Sequence, residues 1–320
     1  MTERFQILSL DGGGIKGIFS AAVLSWIEED YQTSIVDHFD LIVGTSTGGI
    51  IALGLGIGLT PKQILDFYLE LGPALFRNPL GYRNLVRLFL PKYSQASLRE
   101  ALRDEKVFGD KTLGDSQKRL VIPAFDLARD DVYLFKTPHH NRLARDWNLP
   151  LWKIALATAS APTYFPVTTE IDGIRHVDGG VWSNNPVLVG IAEATSVLRV
   201  SLQNIAVLSL GTSRDVKHRP SGLDCGGLLV WARHAIDVVM NAQSTGANTT
   251  ASHLLGERNL IRVNPEVPAN LFKMDGHTQS KDLVALAASE SRHAAPRINN
   301  EFLTHSAEHY EASIDIPGKR

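Results

Sequence analysis

FDLIVGTSTGGIIALGLGIGLTP, residues 39–61, is the stretch that most constrains the fold, and it carries no charge after Asp40. Its length matches a bilayer-spanning helix, which needs about 20 mostly apolar residues. However, the stretch contains six glycines, and glycine weakens a helix interior and favours turns. We therefore predict a buried strand, FDLIVG, followed by a sharp turn and a helix, in a soluble protein.

Alternating strands and helices surround this stretch. RFQILSL and GIFSAAVLSWIEED precede it as a strand and a helix, and Thr60 and Pro61 open a further helix, PKQILDFYLELGPALF. We predict more strands at RLVIPAFDL, DVYLFKT, IRHVDG and NIAVLSLGT, and helices at PLWKIALATASA, NPVLVGIAEATSVLRV and GLLVWARHAIDVVMNAQS. Beyond Thr212 the chain is mostly helical, with one candidate strand at NLIRVN. This order predicts one α/β domain with parallel strands joined by right-handed crossovers.

The composition excludes several functional classes. With 320 residues, 44% of them hydrophobic, the chain can bury a sizeable core. A net charge of -2 provides no basic field for DNA or RNA. The single cysteine, Cys225, allows no internal disulfide or cysteine-based zinc cluster, and MTERFQILSL lacks the pattern of a secretory signal. We expect a cytoplasmic protein without a metal site.

DGGGIKG, residues 11–17, matches G-x-G-x-x-G between a strand and a helix, the context of a dinucleotide-binding loop. That fold also needs an acidic residue at the end of the second strand, whereas Asp40 lies at its beginning. The phosphate-loop pattern fails because Lys16 precedes Gly17. An oxyanion hole fits better, since bare glycine N–H groups and a helix N-terminus stabilise developing negative charge.

GTSTG, one strand-helix unit later, has the G-x-S-x-G pattern of a nucleophile elbow. Gly44 and Gly48 lack the side chains that would collide in the turn, so Ser46 would lie exposed above the sheet. The simpler interpretation is a serine that caps a helix. The glycine loop just before it favours the catalytic interpretation.

A serine nucleophile needs a base, and RHVDGGVWSNNPV offers Asp178 at the end of a short strand. Gly179 and Gly180 follow, which leaves room for close approach to the carboxylate. An ordinary Asp-Gly turn is the alternative. His176 faces the same side of the strand and is interpreted as a packing or hydrogen-bonding residue.

Three motifs in order, DGGGIKG, GTSTG and DGG, resemble those of the patatin-like phospholipases. ATASAPTYFPV (residues 157–167) and LSLGT (208–212) are also similar to segments of that family. The resemblance implies a three-layer α/β sandwich with a mainly parallel central sheet and helices on both faces. It implies a catalytic core at residues 5–212, with the mostly helical residues 213–320 packed on the same domain.

The resemblance also implies a Ser-Asp dyad that cleaves acyl esters of membrane glycerophospholipids without a metal or cofactor. Ser46 would be the nucleophile and Asp178 the base. The implied oxyanion-hole amides are those of Gly12, Gly13 and Gly14, and the implied supporting glycines are Gly17, Gly44, Gly48, Gly179 and Gly180. Lys16 would pair with Asp11, meet a lipid phosphate or lie in solvent.

Two other functional classes remain open. An α/β-hydrolase would use a histidine as base, and several histidines follow Asp178, among them His218, His234, His253 and His277. Against it, the serine comes after only one strand-helix unit. A lipid-binding scaffold with a dead site is disfavoured because the serine, the aspartate and the glycine loop are all intact.

Residues 77–99 are basic and amphipathic, with five cations and no acid: Arg77, Arg83, Arg87, Lys92 and Arg99. Such an insert could cap the site and bind anionic lipid headgroups, which predicts peripheral contact with the inner membrane. A solvated helix face with a core stripe is the alternative.

The compact chain further resembles bacterial patatin-like effectors of cyclic-oligonucleotide antiphage signalling. In that group a cyclic dinucleotide such as cGAMP activates the lipase, which then degrades the host's own membrane. The resemblance implies such an activator and allows a homo-oligomer. A constitutive lipid acyl hydrolase of ordinary lipid turnover is the alternative.

Overall fold

The computed structural model describes residues 4–75, 91–216, 221–227, 231, 234–269 and 271–316. The strands in chain order are β1 Phe5–Leu10, β2 Leu41–Gly44, β3 Arg119–Asp126, β4 Asp131–Lys136, β5 His176–Asp178, β6 Ile205–Leu210, β7 Arg214–Val216, β8 Leu260–Val263 and β9 Glu266–Pro268. The helices are α1 Gly17–Tyr31, α2 Thr47–Gly56, α3 Pro61–Leu75, α4 Ala96–Leu102, α5 Leu151–Ala159, α6 Gly180–Ser183, α7 Val187–Ser196, α8 Ala235–Leu255 and α9 Ser280–Glu301.

The central sheet has the strand order β4-β3-β2-β1-β6-β8, and β5 pairs with β3 off this path. The pairs β1–β2, β1–β6, β2–β3 and β6–β8 are parallel, as the alternation of strands and helices predicts. Only the pairs that β3 makes with β4 and β5 are antiparallel among the described strands of this sheet. The mainly parallel sheet is therefore confirmed.

One edge of β3 is shared by two strands, and this sharing positions the site. β4 pairs along Val121 to Asp126 on one edge. On the other edge β2 pairs in parallel up to Val121, and β5 pairs antiparallel from Asp126 back to Ala124. The carboxyl ends of β2 and β5 therefore point toward each other, and the residues that follow β2 meet Asp178 at the end of β5.

Helices cover both faces of the sheet because side chains alternate along each strand. In β1, Ile7 faces the layer that contains α7 and α8, whereas Leu8 faces the layer that contains α1, α2 and α9. In β2, Val43 faces the layer with α7 and α8, and Ile42 faces the layer with α1, α2 and α9. The structure is therefore the three-layer sandwich that the sequence predicts.

Residues 39–61 form β2, a turn, the entirely buried helix α2 and the start of α3. The glycine-rich apolar stretch is thus a core segment. Among the helices that the structure describes, none is long and apolar enough to cross a bilayer.

The chain beyond Thr212 contributes to the same sheet through β8, and α9 packs on α1. The division of the chain at Thr212 stays a prediction. Helix α8 continues to Leu255, well past the end predicted at Ser244, because Ala247 and Ala251 in this polar sequence pack against the sheet. Its sequence has too few apolar residues for periodicity to reveal the last three turns.

Most of the basic insert, residues 76–90, lies outside the described residues. The two described cations both pair with acids: Lys92 with Asp275 and Arg99 with Glu170. Neither is therefore simply a solvated charge available to lipid.

Candidate active site

Ser46 lies in a strained turn between β2 and α2. Its φ of 56° and ψ of -122° form a conformation that costs a non-glycine residue on the order of 1–3 kcal/mol. A Cβ on Gly44 would overlap the carbonyl of Gly48, and one on Gly48 would overlap the carbonyl of Leu10. The turn therefore requires both glycines of the G-x-S-x-G pattern, which is the geometry of a nucleophile elbow.

Thr158, in α5, holds this turn in place. Its Oγ1 accepts the Ser46 N–H at 2.9 Å and donates to the carbonyl of Pro123 at 2.6 Å. The hydroxyl thus joins the elbow to β3. Sequence reasoning missed this role, although Thr158 lies within the quoted segment ATASAPTYFPV.

Ser46 and Asp178 form a direct hydrogen bond. The Ser46 Oγ donates to Asp178 Oδ2 at 2.6 Å, and the N–H of Gly180 donates to Oδ1 at 2.6 Å. Ser46 is 7% exposed and Asp178 is 4% exposed, so the serine is buried and not exposed as the sequence predicted. The structure brings together the two residues that were predicted as nucleophile and base.

Burial raises the pKa of Asp178 to about 6, although the hydrogen bonds from Ser46 and Gly180 act in the opposite direction. A carboxylate with a raised pKa holds a transferred proton more readily than an ordinary one. The environment of Asp178 therefore suits proton transfer from a serine near neutral pH.

His176 packs inside the protein, as interpreted from the sequence. It is fully buried, and its ring meets Tyr133 edge to face at 5.2 Å. Burial lowers its pKa. Within the described part of the chain, no histidine hydrogen-bonds to Ser46 or Asp178. His218 lies outside the described residues.

The glycine loop requires one correction to the predicted oxyanion hole. The N–H of Gly12 donates to the carbonyl of Asn184 at 2.9 Å, so this amide is occupied. For Gly13 and Gly14, by contrast, no N–H hydrogen bond is found among the described residues. Gly14 has a φ of 60° and starts the short 3-10 turn that leads into α1. Two candidate donors thus remain.

The supporting glycines lie at close approaches between elements. A Cβ would overlap the side chain of Thr47 at Gly17 and the carbonyl of Pro123 at Gly179. At Gly180 it would come within 3.0 Å of Asp178 Oδ1. Each of the three positions leaves no ordinary space for a side chain.

Asp11, just before the loop, forms a buried ion pair with Arg262 of β8. The Nη1–Oδ1 distance is 2.8 Å, and Nη2 lies 2.5 Å from Oδ2. Burial is the main influence on the pKa of Asp11 and raises it, while Arg262 opposes the rise. The Nζ of Lys16 donates to the carbonyl of Ser213 at 3.1 Å. Nothing in the local sequence indicated the pair with Arg262, which is 251 residues away.

Two cavities flank the glycine loop. A small apolar cavity of about 50 Å³ adjoins Ser46 and is lined by Ile15, Ile50, Phe67 and Leu71, among others. A polar cavity of about 510 Å³ has Gly12 and Gly13 in its wall. In the residues that the structure describes, no group of three or more metal-ligating side chains is present.

Comparisons with known proteins find relatives over most of the chain. A family model described as patatin-like phospholipase matches residues 8–191. A Pseudomonas aeruginosa protein named cGAMP-activated phospholipase is 32% identical, over 88% of this chain and 82% of the relative. A Vibrio cholerae protein of the same name is 30% identical, over 84% and 83%. Patatin-like protein 3 of Arabidopsis thaliana is 28% identical, over 93% and 83%.

Proposed function

Because this chain belongs to the patatin-like phospholipase family, we propose that it hydrolyses acyl esters of membrane glycerophospholipids with Ser46 and Asp178 as a catalytic dyad. The observation that carries this proposal is the 2.6 Å hydrogen bond from Ser46 Oγ to Asp178 Oδ2 on a nucleophile elbow. The enzyme class follows from the family, and the roles of the two residues are our assignment.

In the acylation step, Asp178 takes the hydroxyl proton while Ser46 Oγ attacks the ester carbonyl carbon. The negative charge that develops on the carbonyl oxygen is stabilised by the N–H groups of Gly13 and Gly14, with the N-terminus of α1 behind them. The C–O bond then breaks, and the leaving lysophospholipid oxygen receives the proton from Asp178. The products are an acyl-Ser46 ester and an ionised Asp178.

Deacylation repeats these roles with water as the nucleophile. Asp178 takes a proton from water, the hydroxide attacks the acyl carbonyl, and the proton returns to Ser46 Oγ as the fatty acid leaves. The apolar cavity beside Ser46, with Ile50 and Phe67 in its wall, is the place for the first carbons of the acyl chain. Its apolar lining favours a hydrocarbon chain over a polar group.

Covalent labelling tests the nucleophile. A fluorophosphonate probe should label the wild type at Ser46, and Ser46→Ala should abolish both labelling and the release of fatty acid from phospholipid vesicles. Ser196 is an exposed serine on α7, and Ser196→Ala is the matched control. It should keep both the labelling and the release of fatty acid. Labelling at a different serine, or fatty acid release by Ser46→Ala, would contradict the assignment.

We also propose that a cyclic dinucleotide activates the enzyme at the inner membrane. Support comes from the two bacterial relatives named cGAMP-activated phospholipases, which match most of this chain. A ligand activates an enzyme only when it binds the active state more tightly than the resting state. On vesicles, the purified protein should be nearly inactive alone and should release fatty acid when cGAMP is added. Full activity that cGAMP does not change would instead favour the constitutive hydrolase.

A further inference from the structure

The polar cavity behind the glycine loop is much larger than the apolar cavity beside Ser46, and the dyad does not use it. Its volume of about 510 Å³ lies in the range of small-molecule sites. Its walls come from the glycine loop, residues 212–215, helix α8, β8 and residues 272–275. The catalytic core and the C-terminal part of the chain therefore both contribute to it.

Buried polar atoms without partners line this cavity. Asn184 Oδ1, Ser213 Oγ and Asn248 Oδ1 are buried, and no hydrogen bond reaches them from the described residues. Ser213 is only 6% exposed. An unsatisfied buried polar group costs about 1–3 kcal/mol. Three such atoms belong to residues in the wall of one space, where a polar ligand that reached them would satisfy them.

The lining combines the three kinds of group that bind a nucleotide. Side-chain amides and hydroxyls, which can read base edges and ribose, come from Asn241, Ser244, Thr245, Asn248 and Asn264. Flat or pliable apolar surfaces, which can cover a base, come from Tyr164, Met240, Phe272 and Met274. The guanidinium of Arg262 offers a fork of donors that matches the oxygens of a phosphodiester.

We propose that the polar cavity is the binding site for the cyclic dinucleotide and that the ligand acts on catalysis through the glycine loop. The inference rests on the proposed function, because it supposes a hydrolase that such a ligand controls.

Groups that line the cavity hold the loop directly. Asn184 accepts the Gly12 N–H through its carbonyl, and the hydroxyl of Thr212 donates to the Gly12 carbonyl at 3.3 Å. Arg262 anchors Asp11. A phosphodiester that binds Arg262 competes with Asp11 for the same guanidinium. The ligand thereby changes the support of residues 11–13, and with it the direction of the N–H groups that face the oxyanion.

Filling the cavity provides the first test. Thr245 lies at the cavity rim on α8, whereas Thr250 is exposed on the same helix and does not line the cavity. In the Ser46→Ala background, calorimetric titration with cGAMP should show an affinity at least tenfold weaker for Thr245→Trp. Thr250→Trp should bind cGAMP as the parent does. Equal binding by both variants would overturn the inference.

Asn248→Leu separates a ligand-binding role from a structural one. Leucine has nearly the same size and removes the unpartnered amide oxygen, so the melting temperature without ligand should stay equal or rise. The affinity for cGAMP should nevertheless fall several-fold. A lower melting temperature with unchanged affinity would make Asn248 a structural residue and contradict its proposed role.

Further outcomes distinguish this inference from the proposed function. If cGAMP binds and activates but neither Thr245→Trp nor Asn248→Leu weakens it, the site lies elsewhere and the regulated hydrolase stands. If glycerophosphoethanolamine binds with sensitivity to Thr245→Trp while cGAMP does not bind, the cavity is a lipid headgroup site and the inference is wrong. If Ser46 is not labelled by the fluorophosphonate, the proposed function itself fails.

Discussion

Two residues with unusual environments make up the proposed catalytic pair. Ser46 occupies a strained backbone conformation at the start of α2, and the carboxylate of Asp178 is buried beside it. Thr158 and Gly180 bind the backbone of the serine and the second carboxylate oxygen, respectively. The strain and the buried carboxylate both cost stability, as expected if Ser46 is a nucleophile that Asp178 activates.

The pH dependence of labelling should report the ionisation of Asp178. Its carboxylate is the proposed base, and burial raises its pKa to about 6. The rate of fluorophosphonate labelling should therefore be constant above pH 7 and fall about tenfold per pH unit well below pH 6. Circular dichroism at each pH checks that the protein stays folded. A midpoint near 4, the ordinary value for aspartate, would contradict this explanation.

Asp178→Asn should raise stability while it removes activity. Because the folded-state pKa lies above the ordinary value of 3.8, the wild type is most stable with Asp178 protonated, and this stability is lost as the pH rises through 6. The variant should thus be more stable by on the order of 2 kcal/mol at pH 7.5, with a difference that shrinks toward pH 4. Denaturant unfolding measures this.

Activity in the same variant should fall on the order of 10³-fold, as expected for loss of a general base. Asp110→Asn, at an exposed position, is the control and should change neither stability nor activity appreciably. A variant at Asp178 that keeps most of its activity would favour a histidine base.

At the scale of elements, the site lies where three segments meet. β2 delivers Ser46 and β5 delivers Asp178 at the shared edge of β3, and the glycine loop after β1 lies beside them. The loop is confined on two sides. A Cβ on Gly13 would overlap the side chain of Thr212, and one on Gly14 would overlap the backbone carbonyl of Met274.

Because one obstacle is a side chain and the other is backbone, a second substitution should rescue only one of two alanine variants. Gly13→Ala and Gly14→Ala should each lower kcat by roughly 10²–10³-fold with little change in KM, because the oxyanion forms only in the transition state. Thr212→Gly should restore part of the activity of Gly13→Ala, since it removes the obstructing side chain. It should not rescue Gly14→Ala, whose obstacle is backbone and whose φ is 60°.

The kinetics of the double variants in a vesicle assay with cGAMP present provide the measurement. Equal rescue of both alanine variants by Thr212→Gly would contradict the steric explanation. A rise in KM without loss of kcat would show that the loop binds substrate instead of the transition state.

The whole molecule depends on contacts between the first and last segments of the chain. Phe302, just after α9, is fully buried and stacks on Phe39 at 5.7 Å between ring centroids. Gln6 in β1 donates to the carbonyl of Phe302 at 3.0 Å. Together with β8, these contacts make the C-terminal part a component of the main core.

Phe302→Ala should therefore destabilise the entire protein. We expect a loss of about 3–5 kcal/mol and one cooperative unfolding transition, in the variant as in the wild type. Calorimetry together with circular dichroism measures both. Two separate transitions, of which only one moves in Phe302→Ala, would show that residues 213–320 unfold independently.

The sequence alone was enough to predict the fold family, the mainly parallel sheet and the residues proposed for chemistry. A nucleophile elbow and a glycine loop require particular residue types at short, fixed spacings, so Ser46 and Gly12 to Gly14 are visible in local patterns. Asp178 was recognisable because an aspartate before two glycines ends a short strand. The periodicity of apolar residues in strands and helices predicted the mainly parallel sheet.

Only the tertiary structure decided how these pieces meet. The antiparallel course of β5 toward the end of β2, the capture of the Gly12 amide by Asn184 and the pairing of Asp11 with Arg262 join residues far apart in the chain. The same holds for the polar cavity, which the glycine loop, α8 and β8 form together. No local spacing encodes such contacts, because they arise from the packing of whole elements, and packing depends on every side chain between them.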